Sequence, residues 1–262
     1  MIKIEKIEIW GWKHAIRGMR NPMNSWDKSD SGICGDFSTE YKDGHIGCSH
    51  DCPKWSADNY CGYSEHLEKF LYDYYMIGPN DLSLMRKLFA AGTEHRKFMR
   101  QIFVSLDVTA PLYWWKEMDT YKVGTVANSC STMHKIHNKE FALDDFSWDQ
   151  LLNTDCDLFE LEWGKDCKTI VQPQHFLIQY IIPVLNICRK KYLDTKDKKY
   201  WWQMIQLLPS SYNQRRTLTI DYEVAATIIR QREGHKLDEW NEFVKVLKGL
   251  PYMAEIMGGE KK

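Results

Sequence analysis

The sequence has no excess of either charge, no long apolar run and no repeat. Lysine plus arginine number 35 and aspartate plus glutamate 36, for a formal net charge of -1. Such a chain has no global basic field to hold a phosphate polymer by counterion release, so no nucleic-acid polymer is expected as a partner. A small anionic ligand is compatible, because it needs only a local pocket. Nowhere do apolar residues approach the roughly 20 in succession that cross a bilayer. The first ten residues alternate charge with isoleucine instead of forming a signal-peptide core. No membrane partner and a cytoplasmic location are the expectation. Asp107, Glu117 and Asp119 are carboxylates whose spacing marks no general acid and base pair. The eight cysteines, Cys34, Cys48, Cys52, Cys61, Cys130, Cys156, Cys167 and Cys188, are expected as thiols, the usual state in a cytosolic chain of this size.

A chain of 262 residues with 44% hydrophobic composition can bury one substantial core, with room for a small appended lobe. The expectation is one α+β domain over 1–262, helix-rich, with a small central sheet and a loop-rich, cysteine-containing insert at about 25–64. Residues 1–10 suit a half-buried strand, and Gly11 to Met19 a short helix stopped by Asn21-Pro22. From Ser25 to Gly62 the composition shifts to Gly, Ser, Asp and Cys, without a period that a helix or long strand can use. Pro79-Asn80-Asp81 signals a helix start before Leu82, Met85, Leu88 and Phe89, with Gly92 as its stop. A further helical turn spans His95 to Met99. Ile102, Val104, Leu106 and Val108 alternate with Phe103, Ser105, Asp107 and Thr109 as a strand ending at Pro111, and a helix then starts toward Met118. Further helices are expected over Asp144–Leu152, Gln174–Tyr192, Lys198–Leu208 and Leu237–Leu247. A brief strand, Leu218 to Ile220, should enter another helix at Asp221.

The run APLYWWKEMDTYKVGTVANSCSTMHKI carries the most chemistry. Thr120, Tyr121, Lys122, Thr125, Asn128, Ser129, Ser131, Thr132 and His134 place many donors within a short turn, as a phosphate or pyrophosphate requires. The same residues also read as a polar loop satisfying its own backbone.

This segment resembles the flavin-dependent thymidylate synthases. In that family a strand ending in Ala-Pro runs into a helix, then an Arg-His-Arg motif, then Ser, Asn and Ser at short spacing. Here Ala110-Pro111, the hydrophobic helix start and Gly124 match, and Thr125, Asn128 and Ser131 fall where the family has Ser, Asn and Ser, with one residue inserted. The Arg-His-Arg is absent, and Thr120, Tyr121 and Lys122 stand in its place. A threonine and one lysine cannot reproduce the bidentate phosphate contacts of two guanidiniums.

A second match covers LLPSSYNQRRTLTIDYEVAATIIRQREGHKLDEWNEF. Leu208-Pro209 and Tyr212 fall in the family's order, and Arg232 lies eleven residues after Asp221, the family's distance from an Asn to its nucleotide arginine. Arg230 is the alternative. Asp221 replaces the family Asn, Ile205 replaces an arginine before Leu-Pro, and Arg215 and Arg216 could restore cationic charge near that turn. Ala90 to His95 sits where the family has a Gly-His turn, from which His95, Arg96 and Arg100 could reach a flavin.

The resemblance implies bound FAD, a nicotinamide reductant such as NADPH, methylenetetrahydrofolate as carbon donor, dUMP as acceptor, and a homotetramer with active sites at subunit contacts. It assigns Tyr121, Lys122, Thr125, Asn128, His95 and Arg100 to the flavin, and Ser129, Ser131, Arg215, Arg216 and Arg232 to the nucleotide. It implies reductive methylation, or a related one-carbon transfer, at C5 of a deoxyuridine nucleotide. The cofactor carries the hydride transfers, so no protein nucleophile is required. A bacterium or its phage would be a natural host. An alternative of another class is a catalytically silent nucleotide- or flavin-binding protein of the same fold.

Cys34, Cys48, Cys52 and Cys61, with His45 and His50 nearby, offer thiolate and imidazole ligands for a structural zinc, although the spacing is not that of paired Cys-x2-Cys knuckles. A zinc-stapled interaction module is the third reading, and free thiols are the plain alternative. Trp114-Trp115 and Trp201-Trp202 invite stacking on a flavin or base, but adjacent helical residues face different ways, and core packing is the simpler role.

Overall fold

The computed structural model describes residues 2–33, 38–40, 46–48, 75–153, 158–162 and 168–258. Its main sheet has four strands, β1 (Lys3–Trp10), β6 (Phe103–Pro111), β10 (Asn213–Asp221) and β7 (Thr125–Ser129), in the order β1-β6-β10-β7. Three two-stranded pairs accompany it: β2 (Gly32–Ile33) with β5 (Tyr75–Met76), β3 (Ser38–Glu40) with β4 (Ile46–Cys48), and β8 (Phe159–Glu162) with β9 (Lys168–Val171). Each of these pairs is antiparallel. The chain divides into two compact units, and the strands of the main sheet contribute residues to both.

The larger unit comprises Ile4–Asp107, Tyr121–Ala127 and Thr217–Lys262. Strand β6 alternates as the sequence predicts: Ile102, Val104 and Leu106 are buried while Phe103, Ser105 and Asp107 are only half covered. Each such aliphatic side chain contributes about 1.5–3 kcal/mol on burial. On the half-covered face, the Thr217 hydroxyl donates to Asp107 at 2.5 Å and Thr219 pairs with Ser105 at 3.3 Å. Helix α1 (Trp12–Arg20) buries Trp12, Ala15, Ile16 and Met19, spaced as one face of a helix. It starts at Gly11, where φ is +101° and a Cβ would lie 2.0 Å from the carbonyl oxygen of Gln101, so only glycine fits the approach.

Helix α2 (Pro79–Ala90) has proline in its first turn and no cap of its own. Its amides are met from outside, since the Asp30 carboxylate accepts from the N–H groups of Asn80 (2.8 Å) and Asp81 (3.1 Å). Asp81 is thereby released for a different task. Its fully buried carboxylate accepts from Arg20 Nε at 2.6 Å and from the hydroxyls of Ser29 (2.7 Å) and Ser31 (2.6 Å). Residues 29–31, at the start of the expected insert, are thus tied into this unit.

Helix α7 in this unit spans Tyr222–Arg232, α8 Asp238–Lys248 and α9 Met253–Ile256. Tyr222 is fully buried, edge-on to Trp12 at 5.1 Å, and its hydroxyl donates to the carbonyl of Pro251 at 2.9 Å. Burial raises its pKa well above the ordinary tyrosine value.

The smaller unit comprises Met1–Lys3, Val108–Thr120 and Asn128–Arg216. It holds α3 (Leu112–Met118), α4 (Thr132–Lys135), α5 (Pro173–Phe176, widening to a π-turn over Leu177–Ile181 and continuing as Ile182–Thr195) and α6 (Lys198–Leu207). Pro183, without an N–H to donate, follows directly on that widening. Its core is Ile136, Phe141, Phe146, Leu177, Leu185 and Met204. Trp114 and Trp115 are both buried, and the Trp115 indole donates to the carbonyl of Gln214 at 2.9 Å.

Three expectations change. The helix expected over Asp144–Leu152 is only a 3-10 turn, Leu143–Asp145. The Asp145 carboxylate turns back to the N–H of Ala142 (2.9 Å), and Phe146 then forms an antiparallel bridge to Tyr212, which needs extended chain. The donor-rich turn after Gly124 contains a strand, β7. The hairpin of β8 and β9 had no counterpart in the sequence reading.

Candidate functional site

In the larger unit, strand β10 delivers Asp221 to the start of α7, where its Oδ1 accepts the N–H of Val224 at 2.8 Å. Three helical turns later α7 ends in Arg230, Gln231 and Arg232, cations suited to the carbonyl end of a helix dipole. Tyr121 meets this end. Its hydroxyl donates to Gln231 Oε1 and accepts from Arg232 Nε, each at 3.0 Å. The Arg232 guanidinium lies 5.6 Å from the Tyr121 ring and 4.6 Å from the ring of Trp240, and its Nη1 is 3.2 Å from His235 Nε2. Two aromatic faces and a phenol therefore fix the orientation of this arginine.

Beside the same helix, Gly124 (φ +75°) passes so close to Asp221 that a Cβ there would lie 2.4 Å from Asp221 Oδ2. The Gly124 carbonyl accepts the Asp221 N–H at 3.2 Å. Burial pushes the Asp221 carboxyl above the usual carboxylate range. The neighbouring charge of Glu223 adds to this, while the amides at the helix start and Arg100 oppose it. The next residue, Thr125, has a buried hydroxyl that forms no hydrogen bond among the described residues. Arg96 Nε lies 2.9 Å from Glu223 Oε1, in a pair about nine-tenths buried. Arg96 and Arg230 also flank the Phe89 ring, at 4.9 and 4.5 Å.

The residues nominated from the sequence are therefore found in two places. Tyr121, Lys122, Thr125, His95, Arg100 and Arg232 belong to the larger unit. Lys122, His95 and Arg100 are exposed, and Arg100 donates to the carbonyl of Thr93 at 3.4 Å. Asn128, Ser129, Ser131, Arg215 and Arg216 belong to the smaller unit. There the Ser131 hydroxyl caps α4 by accepting the N–H of His134 at 3.1 Å. Arg216 is ion-paired with Asp119 at 2.7 Å and stacked on Trp115 at 4.2 Å. The backbone of Arg215 accepts from the N–H of Cys130 at 2.9 Å, and Asn128 and Ser129 are exposed on β7.

Gln231, His235 and Trp240 were not nominated. Trp240 had a signal, since it lies on the apolar face of an amphipathic helix, whereas nothing in the sequence marks Gln231 or His235. An apolar cavity of about 460 Å³ among Val171, Phe176, Tyr180, Val184 and Leu207 contains none of the nominated residues.

Of the zinc candidates, Cys34, Cys52, Cys61, His45 and His50 lie outside the described residues, and for Cys48 only the backbone, in β4, is described. Among the described residues no group of three or more His, Cys, Asp or Glu could hold a metal ion, and no helix is long and apolar enough to cross a membrane.

No family model and no curated protein matches this sequence. Solved structures do. A crystal structure of the flavin dependent thymidylate synthase ThyX from Helicobacter pylori, complexed with FAD and dUMP, is similar over 97% of this chain and 97% of that chain, with 11% identity and a TM-score of 0.54. A second structure of that enzyme with FAD and dUMP is similar over 98% of this chain and 96% of its own, with 10% identity and a TM-score of 0.54. At this identity the likeness is one of fold: the chain has a thymidylate synthase ThyX-like fold of mixed helix and sheet.

Proposed function

We propose that the chain is an FAD-dependent, thymidylate synthase-like enzyme that carries out reductive methylation, or a related one-carbon transfer, at C5 of a deoxyuridine nucleotide. Methylenetetrahydrofolate would be the carbon donor and NADPH the reductant. The observation that carries this reading is the contact between Tyr121, in the turn after α3, and Arg232, at the end of α7. These two segments carry the sequence resemblance to the flavin-dependent synthases, and they meet within one unit.

The residues present fit an anionic, ring-containing ligand. Thr125 has a buried hydroxyl without a hydrogen bond among the described residues, Gly124 lets the backbone pass close to Asp221 for lack of a Cβ, and Lys122, Arg100 and Arg230 add exposed positive charge. Arg232, held between two rings, would contact the pyrimidine nucleotide. Lys122, Thr125, His95 and Arg100 would hold the flavin, together with Asn128, while Ser129, Ser131, Arg215 and Arg216 complete the nucleotide set of this proposal. FAD, when bound, supplies the hydride chemistry, and the protein positions charge around it. The reading also carries a homotetramer in the cytoplasm.

One observation favours a second reading, a silent nucleotide- or flavin-binding protein. Thr120, Tyr121 and Lys122 stand where the family carries Arg-His-Arg, and Tyr121 is spent on orienting Arg232. One measurement separates the readings. Both predict a yellow protein that binds dUMP in calorimetry, and only the enzyme restores growth to a thymidine-requiring bacterial strain. A colourless protein without affinity for dUMP would overturn both.

A further inference from the structure

The near-zero net charge of the chain conceals a concentrated basic surface in the smaller unit. Between Arg189 and Lys199, where α5 turns into α6, six residues are basic (Arg189, Lys190, Lys191, Lys196, Lys198 and Lys199) and two are acidic (Asp194 and Asp197). The rest of the chain is therefore net negative. Lys190, Lys191, Lys196, Lys198 and Lys199 are all exposed. Asp197 is occupied as the cap of α6, where it accepts the N–H of Lys199 at 3.0 Å and pairs with the Lys199 ammonium at 2.9 Å.

Packing enlarges the patch. Arg189 Nε donates to the carbonyl of His137 at 2.9 Å, the His137 ring meets Tyr192 edge-on at 4.9 Å, and the Trp201 indole donates to the carbonyl of Met133 at 3.1 Å. These contacts bring α4 and the chain after it, with exposed Lys135 and His134, against the ends of both long helices. Rings are interleaved with the charges. The Lys191 and Lys199 ammonium groups lie 5.4 and 4.9 Å from the Tyr200 ring, Lys196 lies 5.9 Å from Tyr192, and Lys198 lies 5.5 Å from Trp202, which is 41% exposed.

We infer that this helix-turn-helix tip is a docking surface for single-stranded nucleic acid. Clustered lysines neutralise successive phosphates, and the interleaved rings offer stacking faces to bases without demanding a sequence. A flexible strand can follow a turn between two helices. An anionic membrane fits less well, because peripheral insertion needs exposed apolar side chains. Between Arg189 and Lys199 the apolar residues Tyr192 and Leu193 are half-buried and every exposed residue is polar or charged, and in the rest of the patch Met133 and Trp202 are isolated exposed apolar side chains among the charges. The surface shares no residue with the proposed nucleotide site, although Ser131 of that set caps α4.

The test is fluorescence anisotropy of a labelled oligodeoxythymidylate of about 20 nucleotides, enough to span a typical single-strand site, titrated with the full-length protein at several salt concentrations. Excess dUMP is included to occupy any mononucleotide pocket. Binding should survive dUMP and weaken with salt, with a log-log slope of about -0.7 per phosphate contacted. The protein carrying Lys190→Glu, Lys191→Glu, Lys196→Glu and Lys198→Glu should bind at least about tenfold more weakly. The milder pair Lys190→Gln and Lys196→Gln disturbs less packing and should lower the slope by about 1.4, the loss of two contacts. Three outcomes overturn the inference: no binding by the wild type at low salt, unchanged affinity and slope in both variants, or binding to phosphatidylserine vesicles without binding to the oligonucleotide.

Discussion

Two buried aspartates of the larger unit, Asp81 and Asp221, both lie at the start of a helix, and they are treated in opposite ways. Asp81 is surrounded by donors: a guanidinium, two serine hydroxyls and the N–H of Asp30 at 3.2 Å. Asp221 caps its helix through one oxygen at 2.8 Å, lies close to Gly124, and is left with a carboxyl that burial holds above its usual range. Framework carboxylates are satisfied completely, because a half-paired buried charge is costly. A buried carboxyl with a raised pKa at one end of α7, near the orphaned Thr125 hydroxyl, and an aligned arginine at the other end are features of a ligand site.

The contrast can be broken by substitution, and the largest effect should fall on the framework. Asp81→Ala leaves the buried Arg20 guanidinium without its carboxylate, and chemical denaturation should show a loss of about 3–5 kcal/mol; a loss under 1 kcal/mol would mean the network is not structural. Arg232→Ala should leave thermal unfolding nearly unchanged while weakening dUMP binding by about 1.5–3 kcal/mol, and unchanged affinity in calorimetry removes it from the site. Tyr121→Phe keeps the ring and deletes the hydroxyl that orients Arg232. It should cost about 1 kcal/mol of dUMP affinity, and equal affinities would show that Arg232 does not need that hydrogen bond.

The smallest effect is a slope. Because the folded-state pKa of Asp221 is raised, the folded protein holds its proton over a range where the unfolded chain has released it. The wild type therefore loses stability as pH rises from the ordinary aspartate value through the raised one. Asp221→Asn keeps the helix cap and removes the titration. Its stability relative to the wild type should climb across that interval, and a constant difference from acid to neutral pH would contradict the raised value.

Much of the framework was legible in the sequence because the responsible forces are local. The alternation through Val104 and Leu106 announces β6, and the Pro79 start and Gly92 stop bracket α2. What escaped was set by distant partners. Thr125 to Ser129 reads as turn chemistry, yet pairing at the sheet edge makes it a strand. The Asp144 region carries a helical pattern, yet the bridge from Phe146 to Tyr212 extends it. Asp81 passes for a helix cap in sequence, while Asp30, fifty-one residues earlier, takes that role. The meeting of Tyr121 and Arg232 could be anticipated only through the resemblance, since nothing in either segment alone points to the other. The core role expected of the adjacent tryptophans holds in part. Trp114 and Trp115 both entered the core, one by donating its indole N–H to Gln214, whereas Trp202 stayed 41% exposed.

The short pairing of β2 with β5 has a consequence for how such a chain can change over time. Gly32 faces Met76 and Ile33 faces Tyr75, so two points far apart in sequence lie side by side in the framework. Ser29, Asp30 and Ser31 fasten the outgoing side to α2. The entropic cost of closing a connection grows only slowly with its length. Residues can therefore be gained, lost or exchanged between those two points as a cassette, while the helices and strands on either side keep their register.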